Sequence, residues 1–325
     1  MNRITIIGLG QIGASIGITL RRELKDIEIV GHDIDPEIAG KARKIGAVDK
    51  ISYSLPLSLD ESSIIIVAVP ASRVEKVFKE IEPHLKPGVI VTDTSSTKQD
   101  VLKWAESIFA ETIEFVGGHP MAGVETPGID GAQDNLFDHA SYAIIPLERT
   151  SSEAVDTVVN LIKVLGAEPF FIDPTEHDSL VAGVSHLPIA ISIILMNTVS
   201  KSAGWVEMSR LAAGSFRDVS RLASGSVDMQ HSIFLTNKES IIRWIDGFQD
   251  ELVTFRELVE KGGDPLRDTL KSAFKSRSDW LSGKINKDNT ISELPTSSES
   301  MLGMFGGDKL NEITRKLKKR SEEDR

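Results

Sequence analysis

The stretch Gly8-Leu9-Gly10-Gln11-Ile12-Gly13 narrows the fold more than any other feature of this chain. It follows a short apolar strand at residues 4–7 and opens a helix at residue 11. In that setting each glycine has a task. Gly8 makes the tight turn, Gly10 lets a pyrophosphate approach the backbone, and Gly13 lets helix and strand pack closely. Gln11 and Ile12 lie at the helix N-terminus, whose amide donors and partial positive charge suit phosphates. Asp33 ends a second strand, 20 residues after Gly13, where a carboxylate would hydrogen-bond a ribose diol. It would also repel a 2′-phosphate, and no arginine follows it closely, so the pattern selects NAD over NADP. A second clue is Val67-Ala68-Val69-Pro70, at the end of a continuous apolar strand. Small residues such as Val69 and Pro70 there let a flat cofactor lie across the sheet, although strand chemistry alone accounts for them equally well.

Strands alternate with helices through the first half. Residues 4–8, 27–32, 64–69, 89–93, 114–118 and 142–146 read as strands, with helices at 11–23, 36–45 and 72–81. Such alternation means βαβ units and an α/β, Rossmann-type, doubly wound parallel sheet. A helix at 152–165 and a short strand at 168–172 follow, and then residues 175–282 read as helix almost throughout. The expected organisation is a dinucleotide-binding domain over 1–173, an all-α helical domain for substrate and dimerisation over 174–283, and a flexible tail over 284–325. Two domains suit 325 residues at roughly 150 per domain. Helices this apolar cannot all cover one sheet, so a homodimer through the helical domain is expected.

Composition removes several function classes. With 37 Lys and Arg against 48 Asp and Glu the net charge is −11, which argues against a nucleic-acid binder, since that affinity comes from Lys and Arg. There is no cysteine, so disulfides, thiolate metal sites and cysteine nucleophiles are excluded, and a cytoplasmic location fits. The opening residues hold too short an apolar run for a signal peptide. The most membrane-like stretch, 181–199, is interrupted by Ser185, His186, Pro188, Ser192 and Asn197. A spanning helix needs about 20 mostly apolar residues, so a buried helix and no membrane partner are expected. His177 and His186 lie nine apart and lack the i, i+4 spacing of a helical metal pair. Each reads as a structural histidine, and no metal is expected.

Three segments are polar where packing alone does not require it. Residues 93–98, Asp-Thr-Ser-Ser-Thr-Lys, follow a buried strand, where the hydroxyls could also cap the next helix. Residues 117–125 carry His119 between glycines and a proline at a strand end, a place with little packing value. In residues 214–221, Arg217 and Arg221 share a helix face, with Asp218 placed to orient Arg221. A guanidinium is well shaped to clamp a carboxylate, although a solvated helix face accounts for the pattern equally well.

Together with His177-Asp178 and Ser185-His186-Leu187-Pro188, these motifs resemble the prephenate and arogenate dehydrogenases of tyrosine biosynthesis over roughly residues 3–282. The resemblance implies NAD-dependent oxidative decarboxylation, of prephenate to 4-hydroxyphenylpyruvate or of arogenate to tyrosine. On the matching positions, His119 would take the ring hydroxyl's proton, and Ser96 would orient that histidine and the hydroxyl. Arg221 would bind a substrate carboxylate with Asp218 holding it, and Glu125 joins them at the substrate. The chain departs from the pattern at Ile189, where many members carry a second histidine, and at Val124 and Gln230. These positions touch the substrate's side-chain end and leave prephenate, arogenate and a 4-amino analogue open. Two other readings compete. One is a different NAD-dependent hydroxy-acid oxidoreductase, which would use a lysine base. The other is a nucleotide-sensing module without catalysis.

Overall fold

A computed structural model of the protein describes residues 3–284. Its centre is an eight-stranded sheet in the order β3-β2-β1-β4-β5-β6-β7-β8. The strands are β1 (Arg3–Ile7), β2 (Glu28–His32), β3 (Lys50–Ile51), β4 (Ser62–Val67), β5 (Ile90–Asp93), β6 (Glu114–Pro120), β7 (Ser141–Pro146) and β8 (Glu168–Phe171). All neighbours run parallel except β6 and β7, which are antiparallel, so the sheet expected to be parallel is mostly but not wholly so. The reason is the β6–β7 connection. It holds only a short 3-10 turn at Gly128–Gly131 and no crossover helix of the kind that joins parallel neighbours. The two-residue β3 is too short for any periodicity to announce it.

The helices of the sheet half are α1 (Gln11–Glu23), α2 (Pro36–Lys44), α3 (Leu55–Ser58), α4 (Ala71–Ile81), α5 (Gln99–Ile108) and α6 (Ser152–Val164). Beyond the sheet come α7 (Pro174–Val181), α8 (Leu187–Ser200), α9 (Trp205–Leu211), α10 (Gly214–Ser220), α11 (Val227–Thr236), α12 (Lys238–Lys261) and α13 (Gly263–Leu281). Under α4 and α5 the core is aromatic: Phe78 lies 4.6 Å from Phe109 and 5.4 Å from Phe115, ring centre to ring centre. A smaller cluster of Ala182, Ile189, Ile233 and Ile241 seals the helices beyond the sheet.

The chain forms two compact units, one ending at Ile245 and one beginning at Asp246. Asp173 caps α7 by accepting from the amides of Thr175 and Glu176, at the point where the sheet is complete. The first unit runs on past it because α7 and α11 are tied to the sheet half. Asp178 accepts from the amides of Lys98 and Gln99, and Ser232 Oγ accepts from Ser72 N at 2.6 Å. The tail expected from residue 284 lies outside the described residues, save Lys284 itself.

The helix expected from residue 175 is present, and one expectation about its apolar content is corrected. Residues Pro174–Ser200 form a helical run of 27 residues, and an 18-residue window within it has mean hydropathy 2.0, long and apolar enough by those criteria to cross a membrane. The interruptions at Ser185 and Pro188 do not shorten it. The run carries buried polar groups, however: His177, Asp178, His186 and Ser192, each hydrogen-bonded to protein partners.

Candidate active site

β1 is the strand at which the order of the sheet reverses, with β2 on one side and β4 on the other. Ligands of such sheets bind in the crevice beyond the carboxyl ends of the strands at that switch. Both sequence clues fall there, residues 8–13 after β1 and Val69-Pro70 after β4. Gly8 has φ +93, and a Cβ on it would lie 2.4 Å from Ala68 O and 3.0 Å from Val69 Cγ1. A Cβ on Gly13 would lie 1.9 Å from Gly8 O, so α1 packs directly on the turn. A Cβ on Gly10 would meet nothing within 4 Å, which leaves open space beside it. α1 has no side-chain cap and no acidic residue in its first turn, so its leading amides suit an anion. Asp33 has its carboxylate fixed at the same turn, Oδ2 accepting from Leu9 N at 2.8 Å and Oδ1 from Asp35 N at 2.9 Å. These residues fit a dinucleotide with a free ribose diol. Gln11 does something the fingerprint does not foretell. Its amide donates to the carbonyls of Val124 and Thr126 and accepts from Val124 N. The nucleotide turn is thereby tied to the loop that carries Glu125.

His119 lies on β6, buried, one residue before the strand ends. Its Nδ1 is 2.9 Å from His177 Nε2, and His177 Nδ1 is 2.8 Å from Asp178 Oδ1. The two rings meet edge to face with centres 5.1 Å apart. Burial holds the His119 imidazole well below the ordinary histidine pKa, and His177, Lys98 and His186 push it the same way. A neutral imidazole at pH 7 is the form a general base needs. The strand beneath it is fixed by a buried ion pair: Lys98 Nζ donates to Asp93 Oδ2 at 2.5 Å and to Gly118 O at 2.6 Å. Removing one partner of such a pair leaves an uncompensated buried charge and costs about 3–5 kcal/mol. Burial lowers the Lys98 pKa, and Asp93 opposes that shift.

Two expected contacts are replaced by others. Ser96 is half-buried and makes no hydrogen bond to His119; the ring's partner is His177, which the sequence presents as a structural histidine. The signal that could have found it is the adjacent His177-Asp178 pair, a ring beside its own acceptor. Arg221 is not paired to Asp218. Its Nη1 lies 3.1 Å from Glu125 Oε1. Helix α10 ends at Ser220 and Arg221 opens a 3-10 turn, so Arg221 does not continue the α-helical face that holds Asp218. Glu125, Asp218 and Arg221 nonetheless line one cavity of about 850 Å³, together with Arg217, Trp205 and Phe216. His119 is not in its lining. Among the described residues no group of three or more histidines and carboxylates is arranged to hold a metal.

Known proteins resemble this arrangement along most of the chain. Residues 16–170 match a family described as prephenate dehydrogenase, nucleotide-binding domain. Residues 173–275 match prephenate dehydrogenase, dimerization domain. The prephenate dehydrogenase of Bacillus subtilis is 32% identical over 86% of this chain and 75% of its own length. Among solved structures, the A. aeolicus prephenate dehydrogenase in complex with hydroxyphenyl propionate and NAD+ is 30% identical with a TM-score of 0.80. That match covers 86% of this chain and 98% of the other. The Synechocystis arogenate dehydrogenase is 28% identical with a TM-score of 0.70, covering 86% and 99%.

Proposed function

Because this chain belongs to the prephenate dehydrogenase family, we propose that it carries out NAD-dependent oxidative decarboxylation of prephenate or arogenate in tyrosine biosynthesis. The observation that carries this reading is His119, buried and held neutral on the strand that leads into the Glu125 loop, which Gln11 ties to the nucleotide turn. Gly8, Gly10, Gln11, Ile12, Gly13, Asp33, Val69 and Pro70 would hold NAD, which supplies the hydride acceptor when bound. His119 accepts the proton of the ring hydroxyl as hydride leaves the same carbon, and loss of the ring carboxylate as CO2 makes the ring aromatic. The driving force lies in the substrate, so the protein's task is positioning. Ser96, half-buried just beyond β5, is assigned to the substrate hydroxyl.

Arg221 is assigned to a substrate carboxylate. Its pairing with Glu125 is half-exposed, and such pairs are worth about 0–1 kcal/mol, so an incoming carboxylate can take its place at small cost. Arg217 and Asp218 complete the polar lining of that cavity. Residues 174–283 are assigned to substrate binding and to a homodimer, a role supported by the description of the matching family domain. A cytoplasmic location fits the cysteine-free sequence.

The experiment is a direct assay: purified protein, NAD, and prephenate or arogenate in parallel, followed by NADH absorbance. NADH formation with one of the two is expected, and a His119→Asn enzyme should lose about 10²–10⁴-fold in kcat. A folded, NAD-binding protein inert on both substrates would refute the reading.

A further inference from the structure

The buried His177–Asp178 pair lines neither the nucleotide turn nor the Glu125 cavity, yet its geometry determines what His119 can do. Asp178 is fully buried and surrounded by donors. Its Oδ1 accepts from Lys98 N at 2.8 Å and its Oδ2 from Gln99 N at 2.9 Å, at the start of α5. A carboxylate so placed acts only as an acceptor. His177 Nδ1, 2.8 Å from Oδ1, must therefore carry a hydrogen and donate it. In a neutral ring that leaves His177 Nε2 with a bare lone pair. His119 Nδ1, 2.9 Å from that lone pair, must then be the donor. The last nitrogen of the series, His119 Nε2, is left bare and basic.

We propose that Asp178 and His177 are positioning residues for the reaction assigned above: they fix His119 as the Nδ1–H tautomer and accept charge from it when Nε2 takes the substrate proton. The step balances. The substrate O–H breaks and an Nε2–H bond forms on His119. The Nδ1 proton of His119 shifts toward His177 Nε2, so the positive charge comes to rest beside the Asp178 carboxylate. The charge returns along the same bond when the proton leaves His119 for solvent. This relay answers a difficulty posed by the site. A buried imidazole facing His177 from α7, Lys98 from the turn before α5 and His186 from the turn after α7 is a poor place for a lone positive charge. Asp178 is the carboxylate that offsets it, and it reaches His119 only through His177.

The inference rests on the assigned reaction, but its first test does not need turnover. Nitrogen NMR of the histidine rings in the full-length protein at pH 7.5 should show His119 protonated at Nδ1 and bare at Nε2. A His119 ring protonated at Nε2 instead overturns the proposal, whatever the enzyme's substrate. The second test is kinetic. His177→Phe should lower kcat by about 10–100-fold, the scale on which losing a histidine's orienting partner is felt at metal sites. Its KM for NAD should stay within about twofold, and the acid limb of its kcat profile should move away from the parent's. His177→Gln keeps one acceptor for Nδ1–H but cannot take the charge, so it should recover part of the rate and not the pH profile. A His177→Phe enzyme that melts like the parent and keeps both kcat and acid limb overturns the relay. Should that variant fail to fold, the tautomer measurement on the parent decides alone.

Discussion

His186 is a buried imidazole with one nitrogen left over. Its Nδ1 lies 3.3 Å from Asn237 Nδ2, while its Nε2 is buried without a partner. Burial pushes its pKa down to about 4, with His177 acting in the same direction and Asp178 against it. An unfolded histidine takes up its proton near pH 6.5, so between pH 6.5 and about 4 the unfolded chain binds more protons than the folded one. Stability is therefore fully present above pH 6.5 and falls as the pH drops through that window, by on the order of 3 kcal/mol from this group alone. His119 is shifted the same way and adds to the loss. Urea midpoints at pH 7.5 and 5.0 measure it: the parent should lose stability at pH 5.0, and His186→Leu should lose distinctly less between the two. Equal losses in both proteins would rule His186 out as the source. At this scale the sequence was uneven. His119 was legible because nothing in packing explains a histidine between glycines and a proline. Its partner was not, because the 58 residues from His119 to His177 are closed only by the docking of α7 onto α5. Spacing along the chain compares His177 with His186, and that comparison finds only the absence of a metal pair.

The elements repeat that division between local and distant causes. The fingerprint turn was legible because its constraints are local, a positive φ at Gly8 and a close approach at Gly13. The direction of β7 was not, since alternation identifies a strand but not the way it runs. The long helix from Pro174 was legible as helix, yet it widens to a π turn at Ala182–His186. Pro188 lies just beyond; it has no N–H to donate and its ring crowds the carbonyl four residues back, which is that of Val184. The two glycines that matter most for NAD separate fold from ligand. Gly13→Ala places a Cβ 1.9 Å from Gly8 O, so the turn must move. It should lower both Tm and NADH affinity. Gly10→Ala meets no protein atom within 4 Å, so its Tm should match the parent. Its NADH affinity, read by fluorescence titration, should fall at least tenfold, about 1.4 kcal/mol, because the added methyl intrudes on the space assigned to the pyrophosphate. Unchanged affinity in Gly10→Ala would move the cofactor away from this turn.

For the whole molecule the feature to explain is the apolar surface beyond the sheet. On α12 the exposed side chains Phe248, Leu252, Phe255 and Val259 recur at steps of four, three and four, one stripe along one face. On α13, Leu270 and Phe274 stand four apart, 55% and 77% exposed, with Trp280 and Leu281 exposed at its end. Scattered exposed apolar residues need no explanation, but a stripe of this length on a helix does. The matching family domain is described by its dimerization, and a second copy of this chain is the occupant proposed for such a face. A twofold interface is self-complementary, so one helix face supplies both sides, and a stable one buries roughly 1,200–2,000 Å² in total. The parent protein should therefore run as a dimer by light scattering at micromolar concentration. A Phe248→Glu, Phe255→Glu double variant puts two carboxylates on the stripe, and because these side chains are exposed in a single chain it should still fold. It should run as a monomer with the parent's far-UV circular dichroism. A parent that is monomeric at those concentrations, or a double variant that remains dimeric, would show that α12 is not the contact.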